Sequence, residues 1–201
     1  MQAALDQFRI NISYVRNLSA IHKALNAQTT SILDLSDILR AELVMAVSAF
    51  DKYIHDVVRI GMLEEYQGKR TSTKSFQHFS ISLGGAQLGI LTPNNLDWLD
   101  DEIRNRHSWQ SFQRADKIAD AMHLVSDAKL WEDASKEMGR NAGHVKTQLN
   151  LIVDRRNCIA HEADIDPSYT GSRWPINEAM VDNAIDFIEE VAKSIYTVLK
   201  S

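Results

Sequence analysis

The amino-acid sequence predicts an all-α protein, a multi-helix bundle of about six or seven helices, on three observations. Apolar residues recur at spacings of three and four over most of the chain; Gly and Pro number only 8 and 3 in 201 residues; and 44% of the residues are apolar, enough to fill one core. Many short strands would need far more turn residues, so a sandwich or barrel is not expected. Residues 1–201 read as one domain, with no internal repeat and no low-complexity tract.

The first helix spans about Gln2 to Leu25, with Leu5, Phe8, Ile12, Val15, Leu18 and Ile21 on one stripe. The second runs from about Ile32 to Tyr66, opened by Thr30 or Ser31 as cap. Its apolar face is wide and includes Leu35, Ile38, Leu39, Leu43, Ala46, Val47, Phe50, Ile54, Val57 and Val58, as expected of a central helix contacted by several neighbours. From Gln67 to Pro93 no helical period survives Gly68, Gly84, Gly85, Gly89 and Pro93. This stretch, about 67–93, reads as one long irregular segment with at most a short strand at Phe79 to Leu83. Helical patterning resumes after Asn94 or Asn95, where Asp97, Asp100, Asp101 and Glu102 suit the positive end of a helix dipole. Two shorter helices follow, at about Ala115 to Val125 and Asp127 to Met138, and then a stronger one at about Gly143 to Ala160. A polar connection with Pro167, Gly171 and Pro175 leads to the last helix, capped by Asn177.

Charge and composition narrow the function. Lys and Arg total 22 against 27 Asp and Glu, a net charge of -5 that disfavours a general nucleic-acid coat or an anionic-membrane binder. Contact with a polyanion therefore requires basic groups gathered in one cleft. The single cysteine, Cys158, excludes a disulfide framework and any metal site built on several thiolates, and fits a reducing, cytoplasmic setting. No secretion signal or membrane anchor is expected, since no apolar run approaches the roughly 20 residues that span a bilayer. Neither metal nor cofactor is expected: the seven histidines are scattered, and there is no His-Glu-x-x-His, no phosphate-binding Gly-x-x-x-x-Gly-Lys loop and no Gly-x-Gly-x-x-Gly turn.

The densest group of reactive side chains is Asp154-Arg155-Arg156-Asn157-Cys158-Ile159-Ala160-His161-Glu162, at a helix end. Asn157 and His161 are four apart and share a helical face, which the long side chain of Arg156 can also reach. Imidazole is suited to proton transfer near neutrality, and a guanidinium to a phosphodiester that gains charge in its transition state. The same residues also suit a helix C-terminus that simply favours cations, so both readings stand on spacing alone. Cys158 reads as a small apolar filler of the motif helix.

Arg156-Asn157-x-x-x-His161 resembles the Arg-polar-x-x-x-His motif of the HEPN superfamily, all-α domains of which many are metal-independent endoribonucleases. Three stretches are similar to its RiboL-PSP-HEPN branch: Arg40 to His55, Ile103 to Phe112 and Arg155 to Asp164. The similarity covers about residues 38 to 199, with the N-terminal helix less characteristic. The resemblance implies a bundle of HEPN type in which His161 is general acid or base at the ribose 2'-hydroxyl or the leaving 5'-oxygen. Arg156 would stabilise the transition state and Asn157 orient the phosphate or the imidazole, and the products would be 2',3'-cyclic phosphate and 5'-hydroxyl ends. It also implies a homodimer with the motif at the interface, RNA as the ligand, and a toxin or defence role restrained by an antitoxin or other regulatory protein. The alternative is a non-catalytic HEPN-like module that binds RNA or protein.

Other residues enter as supporting candidates. Asp51 and His55, four apart on the central helix, either face the motif and tune His161 or form an ordinary polar strip. Glu162 adjoins His161, and Arg155 contacts phosphate or pairs with Asp154 or Glu162. Arg104, Arg106, His107 and Arg114, with Trp109 and Phe112 between them, mix positive charge with stackable rings as single-stranded RNA binding requires. Lys69, Arg70 and Lys74 either track an RNA backbone or solubilise a loop.

Overall fold

The central element is the 31-residue helix α2, Ser36–Tyr66, because its apolar positions face more than one neighbour. Phe50, Ile54, Val58 and Met62 are wholly buried along it, and Phe8 and Tyr53 pack with Phe50 in an aromatic cluster at ring separations of 5.2 to 6.5 Å. The computed structural model describes residues 1–29, 33–169 and 171–200. In chain order the remaining helices are α1 (Gln2–Gln28), α3 (Lys74–Gln77), α4 (Leu83–Leu91), α5 (Asp97–His107), α6 (Ala115–Met122), α7 (Leu130–Glu137), α8 (Ala142–Glu162) and α9 (Glu178–Lys200). Helices α1, α5, α6, α8 and α9 all pack on α2, while α7 bridges α8 and α9. The only β pairing among the described residues is an isolated bridge between Ile165 and Arg173.

The architecture is all-α, with nine helices among the described residues rather than six or seven. The extra two lie where an irregular segment is expected. In α4 the glycines serve close approach rather than turning. Gly85 and Gly89, one turn apart, lie against Glu102 and Trp98 of α5, where an added Cβ would come within 2.5 Å of Glu102 Oε1 and 2.8 Å of Trp98 Cζ2. The helix starts at Ser82, whose Oγ accepts from the Gly85 N–H at 2.9 Å while the Ser82 N–H donates to Glu102 at 2.8 Å. Of the stretch Phe79 to Leu83, where a short strand is possible, residues 79–82 form no strand and Leu83 begins α4.

Helix boundaries differ in smaller ways. The expected caps Thr30 and Ser31 lie outside the described residues, and α2 begins at Ser36, where Asp34 Oδ1 accepts from the Ser36 N–H at 2.9 Å. Asn95 accepts from the Asp97 N–H at 2.7 Å, although the cap position of α5 is Leu96. Asn177 does cap α9, through the Met180 N–H at 2.9 Å. Near the end of α1 the buried side passes from Ile21, which is exposed, to Ser19 and His22. The reason is the buried Glu42 on α2, whose carboxylate accepts from the Ser19 hydroxyl.

Candidate functional site

Helix α8 carries the Arg-Asn-x-x-x-His motif on its last two turns. Asn141 caps its start, accepting from the Gly143 and His144 N–H groups at 2.8 and 3.3 Å. Val145, Leu149 and Val153 are buried beneath it. With those residues inward, Asn157 and His161 fall on a flank of the helix and His161 is exposed in its last turn. Asn150, two turns before Asn157 on the same flank, accepts from the Ala115 N–H at 3.0 Å and so holds the start of α6 against α8.

Between this flank and the α5–α6 connection lies a groove of about 690 Å³. Val153, Arg156, Asn157 and His161 form its α8 wall, and Trp109, Gln110, Ser111, Gln113, Arg114 and Lys117 the other. Three of these ten residues are cationic and none is acidic, in a chain whose acids outnumber its bases by 27 to 22. Arg114 donates to Asp154 at the rim, at 2.5 Å. Arg156 and Lys117 have no carboxylate within 4 Å among the described residues, and Arg156 Nε is buried without a hydrogen-bond acceptor. A guanidinium partly buried and left uncompensated is a strong site for an anion.

The opposite wall is fixed from α2. Asp51 accepts from the Phe112 N–H at 2.6 Å and from Gln113 Nε2 at 2.9 Å. The His55 ring stacks on Phe112 at 4.4 Å and stands 3.8 Å from the Asp51 carboxylate. The bonds and ring contacts of Asp51 and His55 thus go to the connection that faces the motif and to His107, not to His161 itself. Glu162 lies one turn beyond Cys158 on the outer side of α8, and burial together with that carboxylate pushes the Cys158 thiol above its ordinary value. A thiol held protonated is a poor nucleophile, as a filler should be.

The mixed basic and aromatic run of α5 divides. Trp109 is 75% exposed in the groove, whereas Phe112 is only 3% exposed and belongs to the core. Arg104 does not reach the groove: it pairs with Asp100 at 2.7 Å and faces a separate cleft beside Lys52 and Arg59. Arg106 is exposed but outside the groove. His107, expected on an RNA-binding surface, is 5% exposed, enclosed by Phe79, His55 and Phe112. Burial, then the neighbouring His55 and Arg106 charges, pull its pKa down to about 4. The unfolded chain takes up that proton near pH 6.5 and the folded chain only near 4, so stability present above about 6.5 is lost as the pH falls towards 4. The effect is at most about 3 kcal/mol. Thermal unfolding midpoints should drop across that window, and His107→Phe should flatten the drop.

Sequence reasoning missed the device that ends α8. Ala163 and Asp164 both adopt left-handed backbone, φ 51° and 60°, an arrangement that costs non-glycine residues about 1 kcal/mol each. Fully buried Asp164 holds it in place. Its N–H donates to the Cys158 carbonyl at 3.0 Å, its carbonyl accepts from the Trp174 N–H at 2.9 Å, and its Oδ2 accepts from Arg40 Nε at 2.7 Å and Arg155 Nη2 at 2.9 Å. Arg40 and Arg155 also donate to the Trp174 carbonyl, at 3.0 and 3.2 Å. Arg155 pairs with Asp164 rather than with Asp154 or Glu162, and lines a separate pocket, not the groove of the motif. Arg40 and Asp164 bound two of the stretches that carry the resemblance, but their 124-residue separation hides their contact from local pattern. Gln113 and Lys117 were missed for the same reason.

A family model described as RiboL-PSP-HEPN matches residues 9–201. The chain belongs to the RiboL-PSP-HEPN family. The match takes in most of α1, so this HEPN chain includes the N-terminal helix in its family unit. No curated protein and no solved structure matches the chain. Among the described residues, no three His, Cys, Asp or Glu side chains cluster closely enough to hold a metal ion, and no helix is long and apolar enough to cross a membrane.

Proposed function

We propose that this HEPN chain is an endoribonuclease that cleaves RNA at the α8 groove without a metal ion. The observation that carries the reading is the uncompensated Arg156 guanidinium beside His161 in a groove without a carboxylate. The imidazole takes the proton of the ribose 2'-hydroxyl or delivers one to the leaving 5'-oxygen. The 2'-oxygen bonds to phosphorus as the bond to the 5'-oxygen breaks, leaving 2',3'-cyclic phosphate and 5'-hydroxyl ends. Arg156 meets the charge that builds on the phosphoryl oxygens, and Asn157 orients the phosphate or the ring.

One imidazole does not serve as acid and base in the same step. The groove holds no second histidine and no carboxylate. A two-fold axis that brings a second copy of the motif to the first supplies the missing group, so the active species is a homodimer with the motif at its interface. A nuclease of this kind suits a toxin or defence effector held in check by an antitoxin or another regulatory protein.

Total RNA and defined transcripts incubated with the purified protein in EDTA test the reading. Cleavage should persist, with cyclic-phosphate ends detected by resistance to direct 3'-end ligation. Intact RNA across such a panel would overturn the catalytic reading and favour a module that binds without turnover.

A further inference from the structure

The wall opposite the motif carries a feature that phosphate chemistry leaves unused. Trp109 presents an indole 75% exposed beside Arg156 and His161, on a segment that is firmly held. The Gln110 N–H donates to the His107 carbonyl at 3.0 Å, Asp51 accepts from the Phe112 N–H and Gln113 Nε2 at 2.6 and 2.9 Å, and Phe112 is buried. The backbone that carries the ring is thus anchored on its C-terminal side. Gln113 lines the groove, is 8% exposed and has its amide nitrogen bound by Asp51, which leaves the amide oxygen as its remaining hydrogen-bonding atom. Lys117 adds a cation without a carboxylate partner among the described residues.

We propose that this wall is a nucleobase subsite. An unpaired base stacks on Trp109 and donates an exocyclic N–H to Gln113, while its phosphate lies between Lys117 and Arg156. Base stacking on an exposed ring is available only to a nucleotide already released from its neighbours, so the site selects single-stranded or looped RNA over duplex. As a statement of substrate class it rests on the endoribonuclease reading, but base binding itself needs no turnover.

The test is equilibrium binding of a short mixed-sequence strand with 2'-O-methyl riboses, which cannot be cleaved, followed by fluorescence anisotropy. The free strand should bind the wild-type protein more tightly than the same strand annealed to its complement. Trp109→Ala should weaken strand binding roughly 5- to 100-fold, and Trp109→Phe, which keeps a ring, much less. A single abasic position that weakens binding to the wild-type protein should have little further effect on Trp109→Ala. Equal affinity for strand and duplex, or an unaltered affinity in Trp109→Ala, overturns the subsite. A change of oligomeric size in Trp109→Ala, measured by light scattering, overturns it too, because the indole would then belong to a protein interface. Strand-selective binding by a protein that cuts no RNA leaves the subsite standing and removes the nuclease reading. Cleavage with unselective binding does the reverse.

Discussion

Arg156→Ala and His161→Ala should each lower the rate of RNA cleavage by about a hundred- to ten-thousandfold, the range for losing a transition-state charge partner or a proton-transfer group. Neither change should unfold the protein. His161 is exposed and Arg156 has no ion-pair partner among the described residues, so thermal unfolding should move by no more than about 0.5 kcal/mol. Arg156→Lys keeps the charge but loses the planar fork, and should recover only part of the rate. Initial rates on one RNA with a denaturation curve for each variant check the pair of expectations. Variants that cut normally would remove both residues from the reaction.

Asp164→Ala should be the most damaging single change to stability outside the apolar core, at about 3–5 kcal/mol. Asp164 is fully buried and is the carboxylate shared by two guanidiniums, that of Arg40 at 2.7 Å and that of Arg155 at 2.9 Å. Removing it leaves the largely buried Arg40 charge without its close partner and releases the left-handed turn that closes α8 one residue beyond Glu162. Asp164→Asn keeps the shape and one acceptor, and should cost about half as much. Denaturant titration of the three proteins distinguishes a charge clamp from simple packing, since packing alone would make Asn nearly silent. The same clamp sets where His161 stands, because the turn follows it by two residues.

Much of the site is legible along the chain because a helix converts spacing into direction. Asn157 and His161 are four apart, so any α-helix through them places both on one flank, and the buried Val145, Leu149 and Val153 decide which flank is left open. The apolar stripe of α2 likewise announces a central helix before any contact is known. The α4 segment fails for a definite reason. Gly85 and Gly89 lower helix propensity in isolation, and their value comes only from the side chains of Glu102 and Trp98 that occupy the space they leave. The run from Arg104 to Arg114 fails in part, because neighbouring residues around a helix end point in different directions: His107 inward, Arg104 to another cleft, Trp109 to the groove.

The fold class, the motif and its helical face are therefore properties of local order, set by periodicity, by scarce glycine and proline, and by the geometry of one helical turn. Which cations remain uncompensated is a property of the folded chain. Arg155 and Arg156 are adjacent and chemically identical, yet Arg155 is consumed by a carboxylate that α2 also grips, while Arg156 opens on a groove whose far wall Asp51 holds from 105 positions earlier in the chain. Charge pairing depends on distance in space, and that distance exists only once the helices have packed.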